Sequence, residues 1–360
     1  MSRVRQLLLS WEAGLVVLIV LIAIVGQSAD HDLISSFNLQ TTTLNNVILL
    51  CLALGVAPVI VTGDIDLSIV GTLALSGVVM GDLMSHHWEV WLAISIGMGI
   101  ALICGLINGL VVVLFDLPAL AVTLGTMGAY TGISFLVLGG LAVTTFPSVV
   151  VSLGSSNVTG TQIPFSAVIV LVVALIVGYL LHFTSWGKSV FAVGGNRKAA
   201  LFSGIAVNRV RITTFVISGF LAGLAGLLFL GNYQTAQAGM GASQLLPAIT
   251  AVILGGVSAY GGTGTIPGVV LAAILLALLQ SALGLHGFSG EGQTMAVGFL
   301  LIVAIGLPPI ARSVGEWWRR RHGGLVEIAS TNTGEKRGGS ERRSGEGVPG
   351  KAVNQEVLGQ

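Results

Sequence analysis

The sequence predicts an all-α, polytopic membrane protein with about ten transmembrane helices. Three features lead to this class. Of the 360 residues, 54% are hydrophobic and only 9% are charged, whereas soluble domains carry about 25% charged residues. So few charges cannot cover a water-exposed surface. The third feature is a series of apolar runs, each close to the roughly 20 residues that a spanning helix needs.

The apolar runs define the individual spans. Uninterrupted runs lie near residues 12–28, 45–62, 91–115, 118–140, 166–184, 212–232 and 295–312. Two further regions, 65–84 and 245–287, are apolar but broken by Asp, Gly or Pro, and we count them as one helix and two helices. The short segment 245–258 is either a full span or a half-helix shielded by protein.

The basic residues predict the orientation of the chain. All 16 Lys and Arg residues fall in three regions: Arg3 with Arg5, residues 188–211, and residues 312–351. Loops rich in Lys and Arg remain in the cytoplasm, so the three regions should share that side of the membrane. Their separation then requires an even number of crossings between each pair, and ten spans meet this condition.

The same reasoning divides the chain into parts. Residues 29–43 and 141–165 contain no Lys or Arg and should form modest extracytoplasmic loops. The chain after about residue 323 has too little apolar content to build a core, so we expect disorder there. We predict a cytoplasmic N-terminus at 1–11, a transmembrane domain at 12–313 with a cytoplasmic loop at 185–211, and a cytoplasmic, disordered tail at 314–360.

No catalytic, cofactor or metal site is predicted. Gly187-Lys188-Ser189 resembles the end of a phosphate-binding loop, but His182 occupies the position of the required first glycine. The segment before it is also a spanning helix and not a strand, so we expect no ATP site. We interpret Cys51 and Cys104 as small packing residues inside apolar runs. The net charge of +1 gives no reason to expect nucleic acid as a partner.

Several motifs resemble those of one transporter family. They occur in consistent order between about residues 45 and 300, at 62–68, 108–109, 118–126, 187–205, 218–226 and 254–264. The longest is the run Ala-Val-Gly-Gly-Asn-Arg-Lys-Ala-Ala at 192–200, followed by Ser-Gly-Ile at 203–205. Together these motifs are similar to the ribose-type (carbohydrate) permeases of ABC importers.

The resemblance implies a function and a set of partners. It implies the ABC importer permease fold in the bacterial inner membrane, importing a sugar or sugar-like solute with ATP hydrolysed by another subunit. The implied partners are a cytoplasmic ABC ATPase, a periplasmic solute-binding protein, and a second permease copy or a paralogue. The acidic residue Asp64 and the pattern at 123–139 look most like the rhamnose and autoinducer-2 branch. Leu201, Val70 and Thr263 depart from common family residues.

Residues 194–204 form the candidate contact with the ATPase. Gly194-Gly195 would allow a tight turn, Asn196 is a favourable N-cap, and Gly204 can end a helix in a left-handed conformation. A helix of about seven residues spans roughly 10 Å, enough to present one or two turns to a partner. The alternative is an ordinary basic loop. The candidate coupling residues are Gly194, Gly195, Asn196, Arg197, Ala199, Ala200 and Gly204.

Polar residues in apolar surroundings are the candidates for the translocation path. A carboxylate at membrane depth is costly unless it is paired or hydrated, yet an N-cap position outside the membrane core is an alternative for the two aspartates. No Lys or Arg lies near them in sequence, so a local salt bridge is excluded. Hydrogen bonding between helices is the alternative for the others. The candidates are Asp64, Asp66, Ser68, Asn108, Thr123 and Thr126.

Other functions remain alternatives at this point. A permease for branched-chain amino acids or nucleosides is the nearest rival in substrate. A secondary transporter would need intramembrane acid and base groups, but few charges interrupt the predicted helices besides Asp64, Asp66, Asp82 and Asp116. A membrane-embedded enzyme would need a reactive cluster, which the sequence does not suggest.

Overall fold

A computed structural model describes residues 11–29 and 32–306, and this part of the chain is built from helices. The predicted tail at 314–360 and most of the predicted N-terminal segment at 1–11 lie outside the described residues. The helices are α1 Trp11–Ala29, α2 Ser36–Val61, α3 Ile69–Ser85, α4 Val90–Leu114, α5 Ala119–Leu138, α6 Ser148–Ser155, α7 Phe165–Phe183, α8 Ser185–Gly195, α9 Arg197–Phe202, α10 Val207–Tyr233, α11 Leu245–Leu254, α12 Ile266–Leu285 and α13 Gly290–Gly306.

The number of apolar helices agrees with the sequence. Seven helices in the described residues are long and apolar enough to cross a membrane, and three shorter apolar helices accompany them. The shortest of these helices, α11, lies in the region 245–258, for which the sequence allowed either a full span or a half-helix. Because α11 has 10 residues, it is about 15 Å long, half of a hydrocarbon core of about 30 Å.

One boundary was wrong. The prediction started the second span at residue 45, but α2 begins at Ser36 and takes in much of the loop expected at 29–43. The hydroxyl of Ser35 caps the helix by accepting from the amide of Asn38. The hydroxyls of Thr41 and Thr43 donate to carbonyls four residues earlier. These local bonds satisfy the polar side chains, so the helix continues beyond its apolar part.

Two helices form the centre of the bundle. In the most apolar stretch of α2, 78% of the residues are buried, and in that of α10 61% are buried. In α1 the buried share is only 11%. Small residues at four-residue spacing, Gly105 with Gly109 and Gly219 with Gly223, allow close contact between two of the helices. A Cβ on Gly105 of α4 would lie 3.1 Å from Cα of Gly219 in α10, and one on Gly109 would lie 3.0 Å from Cα of Ile212. These helices therefore pack backbone against backbone.

Helix α2 runs from one end of the bundle to the other. Its last turn contacts the loop between α11 and α12 and the end of α8, because the amide of Gly262 donates to Val61 O and Gly194 lies against the same oxygen. Near its start, Gln40 Nε2 donates to Asn157 Oδ1 at 3.0 Å. A helix of 26 residues is about 39 Å long. We call the Val61 end the inner end and the Ser36 end the outer end.

Cysteine labelling is expected to place the two ends on opposite sides of the membrane. Ser155 lies near the outer end and Ser203 near the inner end, separated by the spanning helix α7. With Cys51 and Cys104 replaced by alanine, Ser155→Cys should react with an impermeant maleimide added outside whole cells. Ser203→Cys should react only after the cells are opened. Labelling of both from the same side would contradict this topology.

Candidate functional site

The site begins in the loop between α2 and α3, where Asp64 is paired with two arginines. Arg211 Nε donates to Asp64 Oδ2 at 2.7 Å and its Nη2 donates to Oδ1 at 3.0 Å. Arg197 Nη2 donates to the same Oδ1 at 2.8 Å. The exposed fractions of the side chains are 4% for Asp64, 6% for Arg211 and 41% for Arg197. The buried carboxylate therefore has a buried partner and a half-exposed one.

This arrangement joins two predicted sets of residues. Asp64 was a candidate for the solute path and Arg197 a candidate for the ATPase contact, yet they form one ion pair. Arg211 was missed as a site residue. The exclusion of a local salt bridge holds, since the partners lie 133 and 147 residues away. Only the folded chain brings these charges together.

Asp66 lies in the same loop and is satisfied by hydroxyl groups. Ser68 donates to Asp66 Oδ1 from its Oγ at 2.6 Å and from its amide at 2.9 Å. Ser218 Oγ of α10 donates to Asp66 Oδ2 at 2.6 Å. The loop is thereby fixed to α10 at a second point.

Further hydrogen bonds connect the loop to α4 and α5. Asn108 Nδ2 donates to Ser68 Oγ at 2.6 Å, and Tyr130 OH donates to Asn108 Oδ1 at 3.2 Å. Thr123 Oγ1 donates to the carbonyl of Ile65 at 3.1 Å. Asn108 and Thr123 thus make hydrogen bonds between different elements of the fold. Hydrogen bonding of this kind was the alternative to solute contact for these two residues. In this conformation the polar atoms are bonded to one another.

Thr126 is placed differently from the other path candidates. It is half-buried and its hydroxyl donates to the carbonyl of Thr123 at 3.3 Å within α5. It makes no bond to the loop in the described structure. Solute contact by any of the six candidates stays a prediction, and Thr126 is the one whose hydroxyl lies outside the bonded cluster.

The segment after α7 has the caps that the sequence predicted. Asn196 ends α8 and starts α9, and its Oδ1 accepts from the amide of Ala199 at 3.0 Å. Gly204 follows the short helix with a φ of +81°, a left-handed conformation that favours glycine. These two residues set the length of α9 at six residues.

The predicted role of the two glycines was wrong. Gly194 and Gly195 complete α8 instead of forming a tight turn, and the break between α8 and α9 lies at Asn196, whose backbone is extended. Gly194 lies against the inner end of α2, where a Cβ would collide with the carbonyl oxygen of Val61 and lie 2.6 Å from the amide nitrogen of Gly262. Gly195 has open space on its Cα. The first glycine therefore permits a close backbone approach.

Alanine substitutions are expected to show that Gly194 is needed for close backbone packing and that Gly195 is not. Gly194→Ala should lower the stability of the purified permease by about 1–3 kcal/mol, because the methyl group overlaps backbone that cannot rotate away. Gly195→Ala should be neutral or slightly stabilising, since glycine disfavours a helix. Thermal unfolding in detergent measures both changes. Equal unfolding midpoints for the two variants would show that the contact with Val61 carries no constraint.

The exposed face of α9 differs from the expected one. Ala200 is buried within the chain itself, with 4% of its surface exposed. The large apolar side chains that point outward are Leu201 and Phe202, which are 62% and 90% exposed. Ala200 thus anchors the helix, and the surface available to a partner combines these two residues with the exposed Lys198 and Ala199. Sequence reasoning noted Leu201 only as a departure and did not select Phe202.

One coupling candidate, Arg197, is bonded to the cluster of path candidates. Helix α9 carries an exposed apolar tip, and its first residue, Arg197, donates to Asp64 in the loop that follows α2. A displacement of α9 would therefore pull directly on this loop. The Asp66 cluster then connects the loop to three of the long helices.

Comparisons with known proteins point to one family. The family model described as "Branched-chain amino acid transport system / permease component" matches residues 38–305. The autoinducer 2 import system permease protein LsrD of Salmonella typhimurium is 33% identical over 326 residues, covering 87% of this chain and 96% of the relative. LsrD of Escherichia coli K12 is 33% identical over 327 residues, covering 86% and 96%. No solved structure matches the chain significantly.

Proposed function

The chain belongs to the permease-component family of ATP-driven importers, and we propose that it carries an uncharged, sugar-like solute inward across the bacterial inner membrane. The observation that carries the proposal is the 33% identity to autoinducer 2 import permeases along 96% of their length. Similarity over almost the whole length of these relatives supports a shared overall function more strongly than a match to a single motif would. The choice of a sugar-like solute over an amino acid rests on these relatives.

The charge distribution also favours an uncharged solute. Within residues 11–29 and 32–306, every Lys and Arg lies between 188 and 211, towards the inner end. An amino acid brings a carboxylate, which needs a cation or several hydrogen-bond donors when it leaves water. The outer half of the described chain offers no such cation. A solute with only hydroxyl and carbonyl groups avoids this cost, which argues against a permease for branched-chain amino acids.

The energy for transport would come from another subunit. We propose that a cytoplasmic ABC ATPase binds α9 and the adjoining residues 194–204, while a periplasmic binding protein delivers solute at the outer end. Two nucleotide states that dock differently on α9 would shift the permease between inward and outward forms. The ion pair from Arg197 to Asp64 offers a direct connection for that shift. The complete importer would contain a second permease chain, either a copy or a paralogue.

Reconstituted transport tests the proposal. The full chain, its ATPase, its binding protein and any second permease are purified together and placed in proteoliposomes. ATP-dependent uptake is then measured for labelled autoinducer 2, D-ribose, L-rhamnose and leucine. Uptake of at least one of the first three, with none of leucine, is expected. Uptake of leucine alone would overturn the assignment to sugar-like solutes.

A further inference from the structure

A cavity opens at the outer end of the bundle, away from the Asp64 and Asp66 clusters. It has a volume of about 290 Å³ and lies between the start of α2, the end of α12 and the start of α13. Such a volume is at the lower end of the range for pockets that hold small molecules. Its polar lining includes Asn38, Thr42, Asn45, Asn46, Gln280 and Gln293.

The described lining is polar and uncharged. Amide and hydroxyl side chains dominate it, and none of the described residues that line it is Asp, Glu, Lys, Arg or His. Amides offer both donors and acceptors, and hydroxyl groups do the same. A lining of this kind matches a solute whose own hydroxyl groups both donate and accept. It offers nothing to balance the charge of a carboxylate, a phosphate or an ammonium group.

Asn46 supplies an acceptor that the protein itself leaves open. Its Oδ1 is buried and has no hydrogen-bond partner among the described residues. Nearby Asn38 differs, because its Nδ2 donates to Leu33 O at 2.9 Å and to Ser281 Oγ at 2.8 Å. Asn38 therefore joins α2 to α12, whereas Asn46, which also lines the cavity, keeps a buried acceptor that no described residue bonds. Most buried polar groups in proteins have a partner, so this acceptor is available to a small molecule once the side chain turns towards the cavity.

We propose that this cavity is an entry site, which binds one small, uncharged, polyhydroxylated solute on the outer side before translocation. Asn46 Oδ1 accepts from a solute hydroxyl, and Thr42 and Gln280 offer further hydrogen bonds. The inference rests on the proposed function for the direction of transport. It assigns binding to residues outside the polar cluster at the inner end, whose atoms are bonded to one another.

Two measurements on the full chain test the site. For occupancy, Thr42→Cys is introduced with Cys51 and Cys104 replaced by alanine, and its reaction with a maleimide is timed with and without D-ribose, L-rhamnose or autoinducer 2. At least one of these should slow labelling about tenfold, and leucine should not. Thr43→Cys, on the adjacent residue outside the lining, is the matched control and should label at one rate throughout.

The second measurement uses Asn46→Leu and Gln280→Met in the reconstituted importer. Neither change removes a protein hydrogen bond shown by the structure, so assembly and thermal stability should stay near the wild-type values. The KM for uptake should rise about tenfold in Asn46→Leu, which is the loss expected for one hydrogen bond. Asn46→Leu should also abolish the protection of Thr42→Cys. Thr43→Val should transport normally.

The results separate the site from the proposed function. Normal sugar uptake by wild type, with no protection of Thr42→Cys and an unchanged KM in Asn46→Leu, would overturn the entry site and leave the function intact. Uptake of leucine alone would overturn the function. Protection of Thr42→Cys by a polyol would then still support the site, and its absence would remove both.

Discussion

Replacing Asp64 with leucine is expected to lower the stability of the permease by about 3–5 kcal/mol, the cost of leaving a buried charge without its partner. The guanidinium of Arg211 makes two bonds to Asp64, and its side chain is only 6% exposed. Once the carboxylate is removed, the mostly buried guanidinium of Arg211 loses the carboxylate that it bonds in the described structure. Thermal unfolding of the purified protein in detergent should show the loss, together with a lower yield of folded protein.

Arg197→Met is the matched control for this pair. Its side chain is 41% exposed, so the loss of its ion pair should cost about 1 kcal/mol or less. The double variant of Asp64→Leu with Arg211→Met should regain most of the stability lost in Asp64→Leu, because no buried charge remains. If Asp64→Leu unfolds at the same temperature as Arg197→Met, the pair with Arg211 has no structural importance.

The same variants distinguish an effect on stability from an effect on the transmission of movement from α9 to the loop between α2 and α3. Arg197→Met should leave the ATPase bound, since the side chain points into the permease towards Asp64. Its uptake per molecule of hydrolysed ATP should fall, because movement of α9 is no longer passed to the loop between α2 and α3. Equal uptake per ATP in wild type and Arg197→Met would show that the ion pair transmits nothing.

Much of the fold could be predicted because a membrane imposes simple rules. Apolar runs of about 20 residues become helices, and the basic residues identify one side. The caps at Asn196 and Gly204 were also predictable, since each depends on the conformation of a single residue. These features are local, and the sequence states local features directly.

The rest depends on contacts between distant segments. The pair of Asp64 with Arg211 spans 147 residues, and nothing near Asp64 in the chain indicates it. The role of Gly194 depends on Val61, which approaches from another helix. The start of α2 was missed because its threonines and asparagines look like a loop, although hydroxyl bonds to the backbone keep them helical. Such features become visible only when the helices are packed together.

The orientation of α9 is the most consequential of these cases. A helix of six residues makes less than two turns, so its sequence alone does not define an inward face. The structure turns Ala200 inward and leaves Leu201 and Phe202 outward. Ala200→Glu should therefore disturb the permease itself, by burying a charge, and would be a poor test of partner binding.

Phe202→Ser is the sharper test, and it is expected to weaken binding of the ATPase by about 30-fold or more, a loss typical of an aromatic residue at the centre of an interface. Phe202 is 90% exposed, so its removal should leave the thermal stability of the permease unchanged. Phe37→Ser is the matched control, since Phe37 is 79% exposed at the outer end of α2, the end opposite the proposed ATPase contact. Affinity is measured by titrating the purified ATPase onto each variant, and ATP-dependent uptake is measured in parallel.

Leu201 and Phe202 place two large exposed apolar side chains next to each other in sequence at the end of α9, and a partner that covered both would gain the free energy of burying them. Phe202 ends the helix whose first residue, Arg197, contacts Asp64. A partner that binds Phe202 would therefore hold one end of a short rigid helix while the other end acts on the loop after α2. Unchanged affinity and uptake in Phe202→Ser combined with Leu201→Ser would show that ATP energy enters the permease elsewhere. A loss of both in Phe202→Ser, with Phe37→Ser normal, would identify the tip of α9 as the point of entry.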